Sequence, residues 1–189
     1  TAGYRTGRYL SPVISEYREK IQINGKFITK KGLKEGFSLI RDIVENMQDK
    51  PTLFEMETAL AFWYFEKNAC DIVVLETGLG GALDATNVIE APLVAAFASI
   101  SMDHMAYLGD SLDKIATVKA GIIKTGSSVV SANQNPVVAA VIDDVCRKLG
   151  TEPVYISEPM NVKSKLGKQV FDSDRFKKLE ISLNGSFQP

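Results

Sequence analysis

The chain is poor in the residues that mark most specialised chemistry. Its 189 residues include one histidine, His104, and two cysteines, Cys70 and Cys146. The cysteines stand far apart with no CxxC spacing, which speaks against a disulfide framework or a zinc site and suits reduced thiols in a cytoplasmic protein. Neither charge is in excess: 22 basic and 23 acidic residues leave a formal net charge of −1. Lysines and arginines cluster only in short pairs such as Lys30-Lys31 and Lys177-Lys178, so nucleic acid is not an expected partner, and nor is a membrane surface. Long hydrophobic runs are missing as well. A spanning helix needs about 18 or more consecutive apolar residues, and no window approaches that. The first ten residues, TAGYRTGRYL, contain no apolar signal-peptide core. These absences suggest a cytoplasmic protein. The 45% hydrophobic and 24% charged content is ordinary for a globular chain with a sizeable core, and the length fits one domain, two at most.

What the chain does contain is concentrated in residues 71–87, DIVVLETGLGGALDATN. The apolar run 72–75 is too short for a free-standing helix and rich in β-branched side chains. It ends in Glu76, with Gly78, Gly80 and Gly81 following. The pattern predicts a central parallel strand buried on both faces, and in such sheets the carboxyl ends of the strands face the ligand crevice. Residues 93–100, LVAAFASI, repeat it and lead into Asp103-His104.

Around these strands the chain alternates. Residues 7–11 suggest a short strand, and 21–28 a hairpin turning on Asn24-Gly25. Leu33, Phe37, Ile40, Val44 and Met47 line one face of an amphipathic helix. The helix over 54–65 is apolar nearly all round, with Thr52 and Glu55 forming a capping box. Further helices are expected over 112–120, capped by Ser111, and over 135–149, closed by Gly150. Short strands are expected at 129–130 and 153–156, and from residue 161 an antiparallel meander, including 168–171 and 179–183, at the edge of the parallel sheet. The fold class is therefore α/β, a mostly parallel sheet flanked by helices. Ala2-Gly3-Tyr4, with Thr1 before it, reads as the end of a helix, and 184–189 as mid-connection, so both ends look cut.

Three side chains are candidates for chemistry. Glu76 is either a solvent-facing strand end or an acid in the crevice, where a hard carboxylate suits Mg²⁺. His104 is either structural or, at the end of the next strand, turned to the same crevice. Lys119, late in its helix, reads on periodicity as a surface lysine or a partner of the helix dipole. The glycine loop begins like the dinucleotide fingerprint GxGxxG, but its third glycine position is Leu83 and no acid ends the following strand, which argues against an oxidoreductase. No phosphate-binding GxxxxGK[ST] is intact; residues 121–127, GIIKTGS, place a serine where the lysine must be.

Taken together, these blocks resemble the folylpolyglutamate synthase/dihydrofolate synthase family of the Mur ligase superfamily. The resemblance runs through AGYRTGRYLSP at 2–12, EKIQING at 19–25, TLFEMETALAF at 52–62, VVLETGLGGALDATN at 73–87, ASISMDH at 98–104, IATVKAGII at 115–123 and LEISLNGSFQ at 179–188. It implies an ATP-dependent amide ligase that joins L-glutamate to dihydropteroate or to a folate's terminal glutamate through an acyl phosphate. It further implies that Ser11 and Glu76 share one Mg²⁺ site, and that Glu76, His104 and Lys119 belong to a second, where the lysine can be carbamylated. Thr52, Phe54, Asp84, Ala85, Thr86 and Asn87 match positions that hold the pterin. The resemblance also implies a central-domain fragment over 1–189, without the family's P-loop and C-terminal domain and inactive alone, from a parent expected to be a monomer. The alternative is a non-catalytic module of another Mur-type amino-acid ligase. Three departures bear on substrate choice: Val13 replaces a histidine after Ser11-Pro12, Lys20 replaces an arginine that could grip a carboxylate with both nitrogens, and Ala82 replaces an arginine after the double glycine.

Overall fold

The computed structural model describes residues 2–182; Thr1, the last residue of the strand expected at 179–183, the connection at 184–189 and the end of the LEISLNGSFQ block lie outside them. The chain divides into two units, Thr1–Ile89 and Glu90–Pro189. No helix among the described residues is long and apolar enough to cross a membrane.

In the first unit, β1 (Thr6–Tyr9) leads through a loop and a 3₁₀ turn (Tyr17–Lys20) into β2 (Ile21–Ile23) and β3 (Lys26–Phe27). Asn24 and Gly25 between them both have positive φ, 49° and 76°, as the expected tight hairpin requires. Helices α1 (Lys30–Val44) and α2 (Leu53–Lys67) follow, then β4 (Ile72–Leu75) and a 3₁₀ turn (Ala85–Val88). The sheet order is β3-β2-β1-β4, with β1 and β4 parallel and Tyr9 opposite Leu75. Both helices start on threonine caps: Thr29 Oγ1 accepts from Gly32 N–H at 3.0 Å, and Thr52 forms the expected capping box with Glu55. Tyr9, Ile21, Ile28, Ile40, Leu60, Ala61 and Phe65 form the core. Helix α1 stops at Val44, so Met47 lies beyond it and is exposed.

One expectation is corrected here. Strand β4 is parallel, but it is the last strand of its sheet rather than a central one, and Val73 and Val74 are 36% and 55% exposed. A short apolar run reports a side chain's preference for burial; it does not say on how many flanks a neighbouring strand lies.

In the second unit, β5 (Val94–Phe97), β6 (Ser128–Ala132) and β7 (Pro153–Ile156) form a parallel sheet in that order. Its crossovers are helices α3 (Met105–Leu108) and α4 (Leu112–Ala120), then α5 (Pro136–Lys148). Helix α3 was not expected from the sequence. Helix α4 starts after Ser111 as read, although that side chain makes no capping bond to the backbone. Asn135 Oδ1 caps α5 by accepting from Val137 N–H at 3.0 Å, and Gly150 follows its end with φ 72°. Phe97, Ile115, Ala116, Val129, Val138, Ile142 and Cys146 build the core. The antiparallel meander is present as β8 (Met160–Lys165), β9 (Lys168–Asp172) and β10 (Leu179–Ile181), a three-stranded sheet of its own in the order β10-β9-β8.

Candidate functional site

Parallel pairing of β1 with β4 delivers their two carboxyl ends to one place. Glu76 N–H donates to Tyr9 O at 3.0 Å, continuing the ladder one residue past β4. From there the Glu76 carboxylate turns back to the start of the next loop, and its Oε2 accepts from Ser11 N–H at 2.8 Å. The Ser11-Pro12 peptide bond is cis. Glu76 is exposed and Ser11 half-buried. Glu76 Oε1 has no hydrogen-bond partner among the described residues, and neither has the Ser11 hydroxyl.

The loop after Ser11 is held from its other end. Glu19, buried in the 3₁₀ turn, accepts from the N–H groups of Ile14, Ser15 and Glu16 and from Ser15 Oγ, the last at 2.8 Å. The Ile14 amide and the Ser15 hydroxyl foremost hold the Glu19 carboxyl down at about 2.

The glycine loop stands next to α2. A β-carbon at Gly78 would collide with the Phe54 ring, so that position has room only for hydrogen. Gly80 adopts φ 72°, which turns the chain toward Asp84. Asp84 is 8% exposed and clasps the loop: Oδ2 accepts from Leu79 N–H at 2.8 Å, while Oδ1 accepts from Thr86 N–H at 2.9 Å and Thr86 Oγ1 at 2.6 Å. Thr86 is buried, Ala85 and Asn87 are half-buried, and Asn87 Nδ2 donates to Ala82 O at 3.1 Å. Leu79, Leu83 and Val88 leave apolar surface exposed around the same loop. Phe54 is half-buried with its ring centroid 6.0 Å from that of Tyr9, whose hydroxyl burial pushes up to about 12. Thr52, exposed, spends its hydroxyl on the capping box.

The remaining candidates belong to the second unit. His104 stands in the left-handed region, φ 50°, just before α3, and its side chain is 55% exposed. Its N–H donates to Asp103 Oδ1 at 2.7 Å, and its Nε2 lies 3.6 Å from Asp103 Oδ2. A positive φ at a residue other than glycine is uncommon and marks a backbone held by its surroundings. Lys119 occupies the last turn of α4, half-buried, and its ammonium makes no hydrogen bond or ion pair among the described residues.

These donors fit a hard cation of low protein coordination. Glu76 Oε1 and the Ser11 hydroxyl are both oxygens, and Mg²⁺ takes one or two protein oxygens while keeping waters and phosphate oxygens. No group of three or more His, Cys, Asp and Glu side chains able to hold a metal occurs among the described residues.

Sequence reading missed the anchors of this site. Glu57 works through Tyr17 and Lys20, distant in the chain, whereas Glu19 binds the amides of its near neighbours Ile14, Ser15 and Glu16. The local signal was Glu57 itself, an acid inside the largely apolar 54–65 that, unlike Glu55, takes no part in the capping box.

No protein-family profile matches the chain. The folylpolyglutamate synthase of Lacticaseibacillus casei is 35% identical to it over 199 residues, covering 99% of this chain and 46% of that protein. A dihydrofolate synthase/folylpolyglutamate synthase of Bacillus subtilis is 42% identical over 146 residues, covering 75% of this chain and 34% of that protein. Among solved structures, the apo form of the L. casei protein superposes with a TM-score of 0.88 at 32% identity, over 96% of this chain and 47% of that one. A folylpolyglutamate synthase complex with AMPPCP and folate reaches 0.90 at 32% identity, over 98% and 48%. The class is thus an α/β protein with the fold of the folylpolyglutamate synthases. The chain is similar to the folylpolyglutamate synthases and spans about half the length, or less, of the relatives it matches.

Proposed function

We propose that the protein to which this chain belongs is an ATP-dependent ligase that joins L-glutamate to dihydropteroate or to the terminal glutamate of a folate. The observation that carries the reading is the pairing of Ser11 with Glu76 at the ends of two parallel strands, in a chain similar to folylpolyglutamate synthase over 99% of its length. Phe54 and the Asp84–Asn87 segment frame the neighbouring loop with apolar and polar surface suited to a flat heterocycle, and with Thr52 they are the proposed pterin contacts.

In this reading the substrate carboxylate attacks the γ-phosphorus of ATP and ADP leaves, giving an acyl phosphate. The amine of L-glutamate then attacks the acyl carbon, phosphate departs, and the amine's proton passes to solvent or a nearby base. Ser11 and Glu76 would hold Mg²⁺, which supplies positive charge against the transferring phosphoryl group. The Ser11 N–H bond orients the Glu76 carboxylate and leaves Oε1 for that purpose. His104 and Lys119 are the second unit's proposed contributions to metal binding and catalysis. For Lys119 that role requires a carbamate, because an ammonium has no acceptor oxygen. The protein is proposed to work in the cytoplasm as a monomer.

The test is ADP release by the full-length protein with and without glutamate. Stimulation by dihydropteroate denotes dihydrofolate synthesis, stimulation by tetrahydrofolate denotes glutamate-tail extension, and Glu76→Gln is expected to lower turnover by about 100-fold or more. Absence of stimulation by either substrate overturns the reading. Residues 1–189 alone, without an intact GxxxxGK[ST], are proposed to hydrolyse no ATP.

A further inference from the structure

We propose that Glu57 is a positioning residue which, from the buried face of α2, anchors the 3₁₀ turn Tyr17–Lys20 and through it the loop that begins at Ser11. Glu57 is 3% exposed, and a carboxylate so far from water is costly unless it is paired and hydrogen-bonded. Both of its oxygens are satisfied by the turn. Tyr17 donates its hydroxyl to Oε1 at 2.7 Å, and Lys20 Nζ donates to Oε2 at 2.6 Å. The Lys20 ammonium also lies 5.5 Å from the Tyr17 ring centroid, and that ring stacks on Phe37 of α1 at 6.4 Å. Burial first, and the Glu57 bond second, push the Tyr17 phenol well above its ordinary value.

The turn is the hub for the loop. Leu10 N–H donates to Lys20 O at 3.0 Å, which fixes the loop's entry, and Glu19 receives the amides of Ile14, Ser15 and Glu16, which fixes its course. Tyr17 and Lys20 carry the turn's side-chain bonds to α2, and both end on Glu57. The same helix presents Phe54 one turn earlier, against Gly78. Glu57 therefore sets the register of the Ser11 loop to the helix that carries the proposed pterin contact.

Stability alone does not account for the arrangement. A buried ion pair replaced by apolar side chains of similar volume often leaves a protein equally stable, because desolvation offsets the attraction. Directional bonds supply a fixed orientation, which an apolar pair lacks. The departure at Lys20 fits this role, since its ammonium is committed to Glu57.

The test compares Tyr17→Phe and the double variant Lys20→Met/Glu57→Leu with the unmodified full-length protein, read by thermal melting, amide hydrogen exchange and kinetics. The double variant is expected to melt close to the unmodified protein. Its Ser11 and Ile14–Glu16 amides are expected to exchange about tenfold faster, with α5 unchanged. The kinetic arm rests on the ligase reading: KM for the pterin substrate rises about fivefold or more while kcat stays within about twofold. Tyr17→Phe, which keeps the ring and loses one bond, gives a smaller change in the same direction and serves if the double variant does not fold. Unchanged loop exchange in a folded variant overturns the proposal, as does faster exchange with an unchanged KM in an active enzyme. If the parent has no ligase activity, the exchange arm still decides whether Glu57 holds the loop, so failure of the two readings is distinguishable.

Discussion

Glu19 shows how much one side chain can hold. Its carboxylate is the acceptor for three consecutive backbone amides and a hydroxyl, and its folded-state pKa of about 2 lies below the ordinary 4.5. A group whose pKa is depressed by folding stabilises the native state fully above its unfolded value and loses that contribution as pH falls through the folded one. The Glu19 contribution is therefore complete above about pH 5 and disappears between about 4.5 and 2. Urea denaturation across that window should show a shallower loss of stability in Glu19→Gln than in the unmodified protein, with Glu19→Gln the less stable of the two at neutral pH. Glu76 and His104 stood out in the sequence because each follows a buried-strand pattern at the point where it stops, whereas Lys119 was singled out by the family resemblance alone. Glu19 and Glu57 did not: an acid in a polar segment such as that around Glu19 is ordinary until its partners are seen, and Glu57 was read with the apolar helix that carries it. The role of the Asp84 carboxylate was illegible in the same way: both of its oxygens accept bonds from the loop that carries it.

At the scale of the element, local rules did well wherever the determinant is local. The Asn24-Gly25 hairpin, the Thr52/Glu55 box and the helix Leu112–Ala120 follow from spacing and capping chemistry that neighbouring residues supply. The exposed flank of β4 and the single-turn α3 were missed, since the first depends on which strands are adjacent and the second is too short to show a period. Gly36 sets the two kinds of rule against each other. In the interior of α1 a glycine costs about 1 kcal/mol relative to alanine, so propensity predicts that Gly36→Ala stabilises. Packing predicts the opposite, because a β-carbon there would press on Leu60 and lie 2.8 Å from Trp63 Cζ3. Leu60 can adjust its end but the indole is rigid, and overpacking costs about 1–3 kcal/mol. Gly36→Ala is thus expected to be net destabilising by about 1 kcal/mol, and equilibrium denaturation decides between the two signs.

The described residues form two cores made of different side chains, one centred on Tyr9, Leu60 and Phe65 and the other on Ile115, Val138 and Ile142. Leu60→Ala and Ile142→Ala each remove a fully buried aliphatic side chain and should cost about 2–5 kcal/mol. Native-state hydrogen exchange is expected to report each loss in its own unit: Leu60→Ala exposes α2 amides and spares α5, and Ile142→Ala does the reverse. Equal loss of protection in both units would show that they unfold as one. The α/β class and the likeness to folylpolyglutamate synthases were legible in the sequence, whereas the division into units was not, because a hydrophobic pattern records that a side chain is buried and not with which others.

The bond that orients Glu76 comes from the main chain of residue 11. Every amino acid except proline offers that same amide, so mutation at this position cannot readily remove it. Evolution is therefore free to vary the side chain at 11, and with it whatever the hydroxyl contributes, without disturbing the acid. The strand-end carboxylate inherits the robustness of backbone, and the chemistry beside it keeps the adaptability of a side chain.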